Sequence, residues 1–127
     1  MIDVTCAIIR RHGMILAAQR GADTHLAGKW EFPGGKVNEG ESEEACIIRE
    51  IREELGVEIR PTRRLSDSKH DYGEKRIRLI PFECDLVSGD PVAREHASLR
   101  WCKVADLETM DWCEADIQIV TEIVLSS

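Results

Sequence analysis

The sequence predicts an α/β fold in which a mixed β-sheet is sandwiched between helices. Two observations support this prediction. Short β-rich runs recur along the chain, and two amphipathic helical segments lie far apart in it, at residues 42–55 and 117–125. A chain of 127 residues is long enough to bury a core without disulfides, so we expect residues 1–127 to form a single domain.

Runs of apolar and β-branched residues predict four strands, at residues 4–11, 14–19, 77–86 and 99–103. Arg11-His12-Gly13 separates the first two and is typical of a hairpin turn. Residues 21–29 are polar and are predicted to form a loop. The bulky segment Trp30-Glu31-Phe32 follows, and Pro33-Gly34-Gly35 then breaks the chain sharply.

The first helix is predicted at residues 42–55 because apolar side chains recur there at helical spacing. Ser42 is suited to cap its N-terminus, and Glu43 and Glu44 suit the positive end of the helix dipole. Gly56 stands where a left-handed C-terminal cap is expected. The second helix, residues 117–125, shows the same kind of apolar spacing.

Composition narrows the function classes. The formal net charge of −7 argues against binding to a nucleic-acid polymer, although a small polyphosphate remains compatible with it. Five cysteines without a C-x-x-C pair predict buried thiols in a reducing cytoplasm rather than disulfides or zinc. We expect no signal peptide, because the N-terminus lacks its pattern, and no membrane span, because no apolar run is long enough.

Three carboxylates crowd one face of the first helix. At about 100° per residue, Glu50, Glu53 and Glu54 fall within one arc, away from the aliphatic face. A solvated acidic face is one interpretation. Near the C-terminal end of a helix, however, the dipole disfavours anions by about 0.3–1 kcal/mol each, and Arg49 and Arg52 offset only part of this cost. A hard divalent cation that takes oxygen ligands is the other interpretation, and the spacing alone leaves both open.

The spacing from Gly35 to Val57 is more specific than a charge cluster. It contains Gly35, Glu41, the pair Arg49-Glu50 and the pair Glu53-Glu54, with the final glycine and aliphatic residue in place. This pattern resembles the Nudix box, and every fixed position of the box is filled. The resemblance implies an α/β/α sandwich around a curved mixed sheet, with the box forming a loop–helix–loop. It also implies hydrolysis of a nucleoside diphosphate linked to another moiety.

Similarity outside the box points to one branch of the family. Residues 19–36 look like the approach to the box in MutT-type enzymes. Glu95-His96, Trp101-Cys102 and Ala115-Asp116-Ile117 resemble most closely the bacterial CTP-pyrophosphohydrolase and 8-oxo-dGTP-diphosphatase relatives of MutT. The resemblance implies attack at the β-phosphorus of a nucleoside triphosphate, with release of a nucleoside monophosphate and pyrophosphate.

The resemblance also implies a magnesium site, with Mn²⁺ as a substitute ion. Its ligands would be the Gly34 carbonyl and the carboxylates of Glu50, Glu53, Glu54 and Glu95. Glu53 is the preferred catalytic residue and Glu50 the second candidate, while Arg49 would orient carboxylates by ion pairing. A lone loop acid such as Glu95 would carry little weight without its neighbours.

Four further residues would bind the substrate. Arg20 and His25 would touch phosphate or sugar, Phe32 would pack beside the nucleotide, and Asp116 would read the base. Each has a structural alternative: His25 as an exposed loop residue, Phe32 as plain core, and Asp116 as the cap of the last helix. The MutT pattern has asparagine where Asp116 stands. An ionised aspartate only accepts hydrogen bonds, which favours the amino group of cytosine or adenine.

Other readings remain open at this stage. Tyr72 lies near the position at which the dinucleoside polyphosphate branch of the family keeps a tyrosine. No proline occurs in that neighbourhood, which weakens the hypothesis of an ADP-sugar hydrolase. A non-catalytic nucleotide sensor would be expected to lose part of the acidic set, which is complete in this sequence. The expected partner is a small nucleotide, and the chain is expected to be a monomer or homodimer.

Overall fold

A computed structural model describes all residues from Met1 to Ser127. It contains eight strands, two α-helices and one 3₁₀-helix. In chain order these are β1 Ile2–Arg11, β2 Met14–Gln19, β3 Trp30–Glu31, β4 Gly34–Lys36, α1 Glu43–Leu55, β5 Glu58–Arg64, β6 Ser68–Asp71, β7 Arg76–Ser88, β8 Ser98–Lys103, the 3₁₀-helix Val104–Thr109 and α2 Glu114–Leu125.

The strands form one mixed sheet with β1 near its centre. The main path runs β3-β2-β1-β7-β5, while β4 pairs with β1, β6 with β7 and β8 with β2. Only β1 and β7 run parallel, from Ile2 opposite Ile77 to Arg10 opposite Asp85. All other strand pairs are antiparallel. The predicted mixed sheet is therefore confirmed.

The central strand β1 contributes side chains to two separate cores, because its alternate side chains point to opposite faces of the sheet. Ala7 and Ile9 belong to the core under α1, whereas Cys6 and Ile8 belong to the core under α2. Each face of the sheet is thus covered by one helix. This is the predicted α/β sandwich, and it sets α1 and α2 on opposite sides of a sheet whose edge holds β4.

Helix α1 begins and ends where its sequence predicts. The side chain of Ser42 accepts a hydrogen bond from the Ala45 N–H at 3.1 Å. Gly56 adopts φ = 70°, and its N–H donates to the Arg52 carbonyl at 3.1 Å. Both caps satisfy backbone groups that the helix itself leaves free. The hairpin between β1 and β2 is also confirmed, with His12 and Gly13 at positive φ.

Four strands, β3, β4, β5 and β6, and the 3₁₀-helix lie outside the sequence prediction. The charged segment of β5 contains Pro61, which lies at a register shift in its pairing with β7. Proline and charged side chains hide the alternation by which a strand is recognised. β6 is short and polar, so it carries no apolar period either.

The second helix begins three residues earlier than predicted, at Glu114, with Cys113 at its N-cap position. Asp116 therefore lies inside the first turn. The interpretation of Asp116 as the helix cap is wrong, because its carboxylate instead accepts a hydrogen bond from the Phe32 backbone N–H at 2.9 Å.

The five cysteines are free and buried, as predicted. None of the helices is long and apolar enough to cross a membrane.

Candidate functional site

A cavity of about 350 Å³ opens beside β4, between the loop after β2 and the start of α2. Its volume lies within the range of small-molecule sites. Seven of the nine residues predicted for the site line it: Arg20, His25, Phe32, Gly34, Glu54, Glu95 and Asp116. The remaining two, Glu50 and Glu53, lie on the same helix as Glu54 but outside the lining.

Arg49 holds these two carboxylates beside the cavity. Its Nη1 donates to Glu50 at 2.8 Å and to Glu53 at 3.3 Å, and its Nε donates to Glu41 at 2.7 Å. The Arg49 guanidinium is the main cause that lowers the pKa of Glu41 to about 2. The predicted orienting role of Arg49 matches these contacts. Glu50 and Glu53 therefore share the Arg49 cation, whereas Glu54 does not contact it.

The two glycines of β4 are packed tightly against their neighbours. A Cβ on Gly34 would overlap the backbone of Thr5, and a Cβ on Gly35 would overlap the Glu50 carboxylate. Thr5 also donates from its hydroxyl to the Gly35 carbonyl at 3.1 Å. This packing brings the backbone of β4 directly against the helix that carries the acids.

Among the acids of α1, Glu54 is the one whose ionised form is least stabilised by its surroundings. It is only 7% exposed, and its Oε2 has no hydrogen-bond partner. Burial raises its pKa to about 9, and the negative charges of Glu50, Glu31 and Glu95 add to this rise. The backbone N–H of Gly34 opposes it in part. A carboxyl group that is buried among other carboxyl groups has no neighbouring positive charge to stabilise its ionised form.

The acids do not converge on one point as their side chains stand. No three His, Cys, Asp or Glu side chains are close enough to hold a metal ion. Glu50 turns toward Arg49, and the Glu53 side chain is 60% exposed. Gly34, Glu54 and Glu95 line the cavity, whereas Glu50 and Glu53 stand outside its lining, so the predicted ligands form no closed coordination site.

Arg20 and His25 stand on the loop that borders the cavity. Arg20 donates from Nε to the His25 carbonyl at 2.6 Å and from Nη1 to Glu31 at 3.0 Å. Its Nη2 remains available. His25 is an exposed loop residue that lines the cavity, and its ring meets Tyr72 edge-on at 5.7 Å between ring centroids.

Among the lining residues that sequence reasoning missed, Glu31 and His96 contact each other. Glu31 Oε2 lies 2.9 Å from His96 Nε2, and the His96 side chain is 7% exposed, with Nδ1 unpartnered. Glu31 and its neighbour Phe32 both line the cavity, so strand alternation does not single out Glu31. His96 carries no local signal either.

The other end of the cavity is apolar and aromatic around one carboxyl. Phe32 is 3% exposed and stacks on Trp112 at 4.7 Å, so it belongs to the core while also lining the cavity. Tyr72 accepts at its hydroxyl from the Ala115 N–H at 3.0 Å. Asp116, 4% exposed, stands beside them.

The environment of Asp116 changes its hydrogen-bonding capacity. Burial raises its pKa well above the ordinary value, against the hydrogen bond from Phe32 N–H, which lowers it. The nearby Glu31 charge adds to the rise. A raised pKa favours the protonated carboxyl, which can donate as well as accept, whereas the ionised form only accepts. The role of Asp116 in reading the base stays a prediction.

Comparisons with known proteins identify the family. A model of the NUDIX domain matches residues 1–122. The chain is 38% identical over 120 residues to the CTP pyrophosphohydrolase of Escherichia coli K12, covering 94% of this chain and 89% of that protein. It is 40% identical over 116 residues to a putative 8-oxo-dGTP diphosphatase 2 of Mycobacterium tuberculosis, covering 89% and 81%.

Among solved structures, the MutT protein from Methanosarcina mazei Go1 superimposes with a TM-score of 0.89 at 27% identity, covering 98% of this chain and 94% of that one. Similarity in sequence and in fold thus extends over almost the whole chain, including the acidic helix and the cavity. The chain belongs to the Nudix family of hydrolases.

Proposed function

We propose that this protein is a magnesium-dependent nucleoside triphosphate pyrophosphohydrolase that releases a nucleoside monophosphate and pyrophosphate. The proposed substrates are modified or pyrimidine nucleoside triphosphates, or 8-oxo-dGTP. The names of the two relatives, a CTP pyrophosphohydrolase and a putative 8-oxo-dGTP diphosphatase, support this substrate class.

One observation carries the proposal: the cavity has two chemically different ends. Glu54 stands near Glu95 and Gly34, whereas Asp116 is bonded to the backbone of Phe32, whose ring stacks on Trp112. A nucleoside triphosphate has the matching division, with a charged polyphosphate at one end and an apolar, hydrogen-bonding base at the other. The base would lie beside Phe32 and Asp116, and the phosphates would extend toward the acids.

The acidic end fits a divalent cation. The unpartnered oxygen of Glu54, with its pKa raised by burial, is a buried acceptor that lacks a positive charge. Glu50, Glu53, Glu95 and the Gly34 carbonyl would complete an all-oxygen ligand set of the kind that Mg²⁺ or Mn²⁺ prefers. When bound, the ion supplies neutralising charge to the phosphates and lowers the pKa of the attacking water.

The chain's own groups have separate tasks. We assign Glu53 as the group that takes the proton of the attacking water, with Glu50 as the second candidate. Arg49 fixes the positions of both through its guanidinium. The free Nη2 of Arg20 is available to a phosphate oxygen, and the same loop brings His25 to the phosphate or sugar. Attack is proposed at the β-phosphorus.

Asp116 is proposed to select the base. Its Oδ1 is occupied by the Phe32 N–H, so Oδ2 is the atom that faces a ligand. As a carboxyl it can donate a proton to a base acceptor, and as a carboxylate it can accept from an amino group. These two forms of Asp116 are together compatible with both cytosine and oxidised guanine.

The remaining features of the proposal concern context. We propose one domain over residues 1–127, acting as a monomer or homodimer in the cytoplasm. The net charge of −7 supports a small nucleotide rather than a nucleic-acid polymer, and no membrane association is proposed.

The proposal is tested by a substrate screen with pyrophosphate detection. Canonical, methylated, hydroxylated and oxidised nucleoside triphosphates are compared with dinucleoside polyphosphates and ADP-sugars, each with and without Mg²⁺. We expect pyrophosphate release from at least one nucleoside triphosphate. A preference for dinucleoside polyphosphates or ADP-sugars would contradict the proposed substrate class. Tyr72 lines the cavity, so this screen decides between the two substrate classes.

A further inference from the structure

We propose that Arg94 is a positioning residue: it clamps the loop that carries Glu95 onto the C-terminal end of α1, and so brings Glu95 beside Glu54. This inference rests on the proposed function, because Glu95 matters there as a ligand. The observations behind it are contacts within the chain.

The loop between β7 and β8 is hydrogen-bonded to the last turn of α1. The Val92 N–H donates to the Leu55 carbonyl at 3.0 Å, and the Arg94 N–H donates to the Glu54 carbonyl at 3.4 Å. These carbonyls belong to the set that a helix leaves unsatisfied at its C-terminus. The loop therefore serves as a cap for the helix that carries the acids.

The Arg94 side chain adds a second layer to this cap. Its Nη1 donates to the Arg52 carbonyl at 3.4 Å and to the Glu53 carbonyl at 3.3 Å. A cation at this position also complements the negative end of the helix dipole. Gly56 makes room for it, since a Cβ there would stand 2.6 Å from Arg94 Nη2. Gly56 thus permits the left-handed turn and also leaves space for the Arg94 guanidinium.

Glu95 lies between two anchors. On one side stand the contacts of Arg94, and on the other the Ala97 N–H donates to the Gln19 carbonyl at 2.9 Å, at the end of β2. Glu95 itself is exposed and lines the cavity, and it makes no ion pair that would hold it there. Its position beside Glu54 is therefore set by its neighbours in the chain rather than by its own side chain.

The first test is kinetic. We expect Arg94→Met to lower kcat/KM by about 10- to 100-fold, the usual effect of losing a residue that orients a metal ligand. Arg94→Lys, which keeps the positive charge, is expected to recover part of the loss. The matched control is Arg52→Met, which removes an exposed arginine from the same end of α1 that pairs with Glu58 instead. That control is expected to stay within about two-fold of wild type, as surface changes usually do.

A double variant separates positioning from a general structural effect. If Arg94 acts through Glu95, adding Arg94→Met to Glu95→Gln costs no further activity, because the ligand is already lost. If the two losses multiply instead, the proposal is overturned.

The second readout needs neither metal nor substrate. Amide hydrogen exchange on the metal-free protein follows the N–H groups of Val92 and Arg94, with the Ala97 amide as the internal reference. Arg94→Met is expected to speed exchange at the first two by about ten-fold or more, while Ala97 changes less. Unchanged exchange at Val92 would overturn the clamp. A wild-type protein that hydrolyses no nucleotide would instead overturn the proposed function and leave the exchange result standing.

Discussion

Replacing Glu54 by glutamine is expected to stabilise the metal-free protein while abolishing its activity. In the folded protein, burial and the neighbouring carboxylates raise the Glu54 pKa from its ordinary value of 4.5 to about 9. The folded state therefore binds a proton that the unfolded chain releases above pH 4.5. Stability that is fully present below pH 4.5 is lost as the pH rises toward 9. Glutamine mimics the protonated carboxyl and carries no such penalty.

The magnitude follows from the pH interval. Each pH unit above 4.5 costs the wild type about 1.4 kcal/mol, so the cost at pH 7 is about 3 kcal/mol. The side chain is buried, so solvent screening reduces this value only modestly. For a domain of this size, the difference corresponds to a change in Tm on the order of 10 °C.

The assay is denaturant unfolding of wild type and Glu54→Gln in excess chelator, from pH 4.5 to 8. The difference in free energy of unfolding should be close to zero at the lowest pH and should grow to about 3 kcal/mol at pH 7. Glu53→Gln is the matched control, because it makes the same chemical change at a side chain that is 60% exposed. A Glu54→Gln protein that is less stable than wild type at pH 8, or a difference independent of pH, would refute this account of the site.

Four further outcomes are expected. Activity should require a divalent metal and fall by orders of magnitude in Glu53→Gln, with circular dichroism showing an intact fold; full activity in excess chelator would contradict the metal site. The main products should be a nucleoside monophosphate and pyrophosphate, and chromatography that finds orthophosphate and a diphosphate instead would exclude the proposed cleavage. Asp116→Asn should lower the ratio of kcat/KM for 5-methyl-dCTP over 8-oxo-dGTP by about ten- to hundredfold, worth roughly 1–3 kcal/mol, because its Oδ1 stays on the Phe32 N–H and only an amide donor remains for the base. An unchanged ratio would show that residue 116 does not read the base. Ser42→Ala should cost about 1 kcal/mol in free energy of unfolding, because it removes the acceptor for the Ala45 N–H, and an unchanged midpoint in urea would contradict the cap.

Local signals in the sequence predict local features well. Ser42 and Gly56 define the ends of α1 because the chemistry of a helix cap is contained within a few residues. The positive-φ pair at His12 and Gly13 is likewise a short-range signal for the hairpin. The spacing of the Nudix box predicts the acids together with Arg49, because one helix places all of them.

Features that depend on distant parts of the chain escape sequence reasoning. Helical periodicity places Glu54 on an acidic face, but only the packing of β4 and the Glu95 loop against α1 buries it. The contact between Asp116 and the Phe32 backbone joins residues 84 positions apart. Pro61 and the charged residues of β5 conceal a strand whose place is decided by its pairing with β7.

The parallel pairing of β1 with β7 determines when the central sheet can form during synthesis of the chain. Residues 2–10 can be matched with their parallel partners only after residue 85 has been made. Until then α1 lacks part of its apolar cover, since Ile80, Phe82 and Cys84 of β7 share its core. Helix α1 is thus synthesised early, but its packing against the sheet is completed only after β7 has been made. A chain interrupted before β7 would contain every residue of the Nudix box without the complete sheet that supports α1.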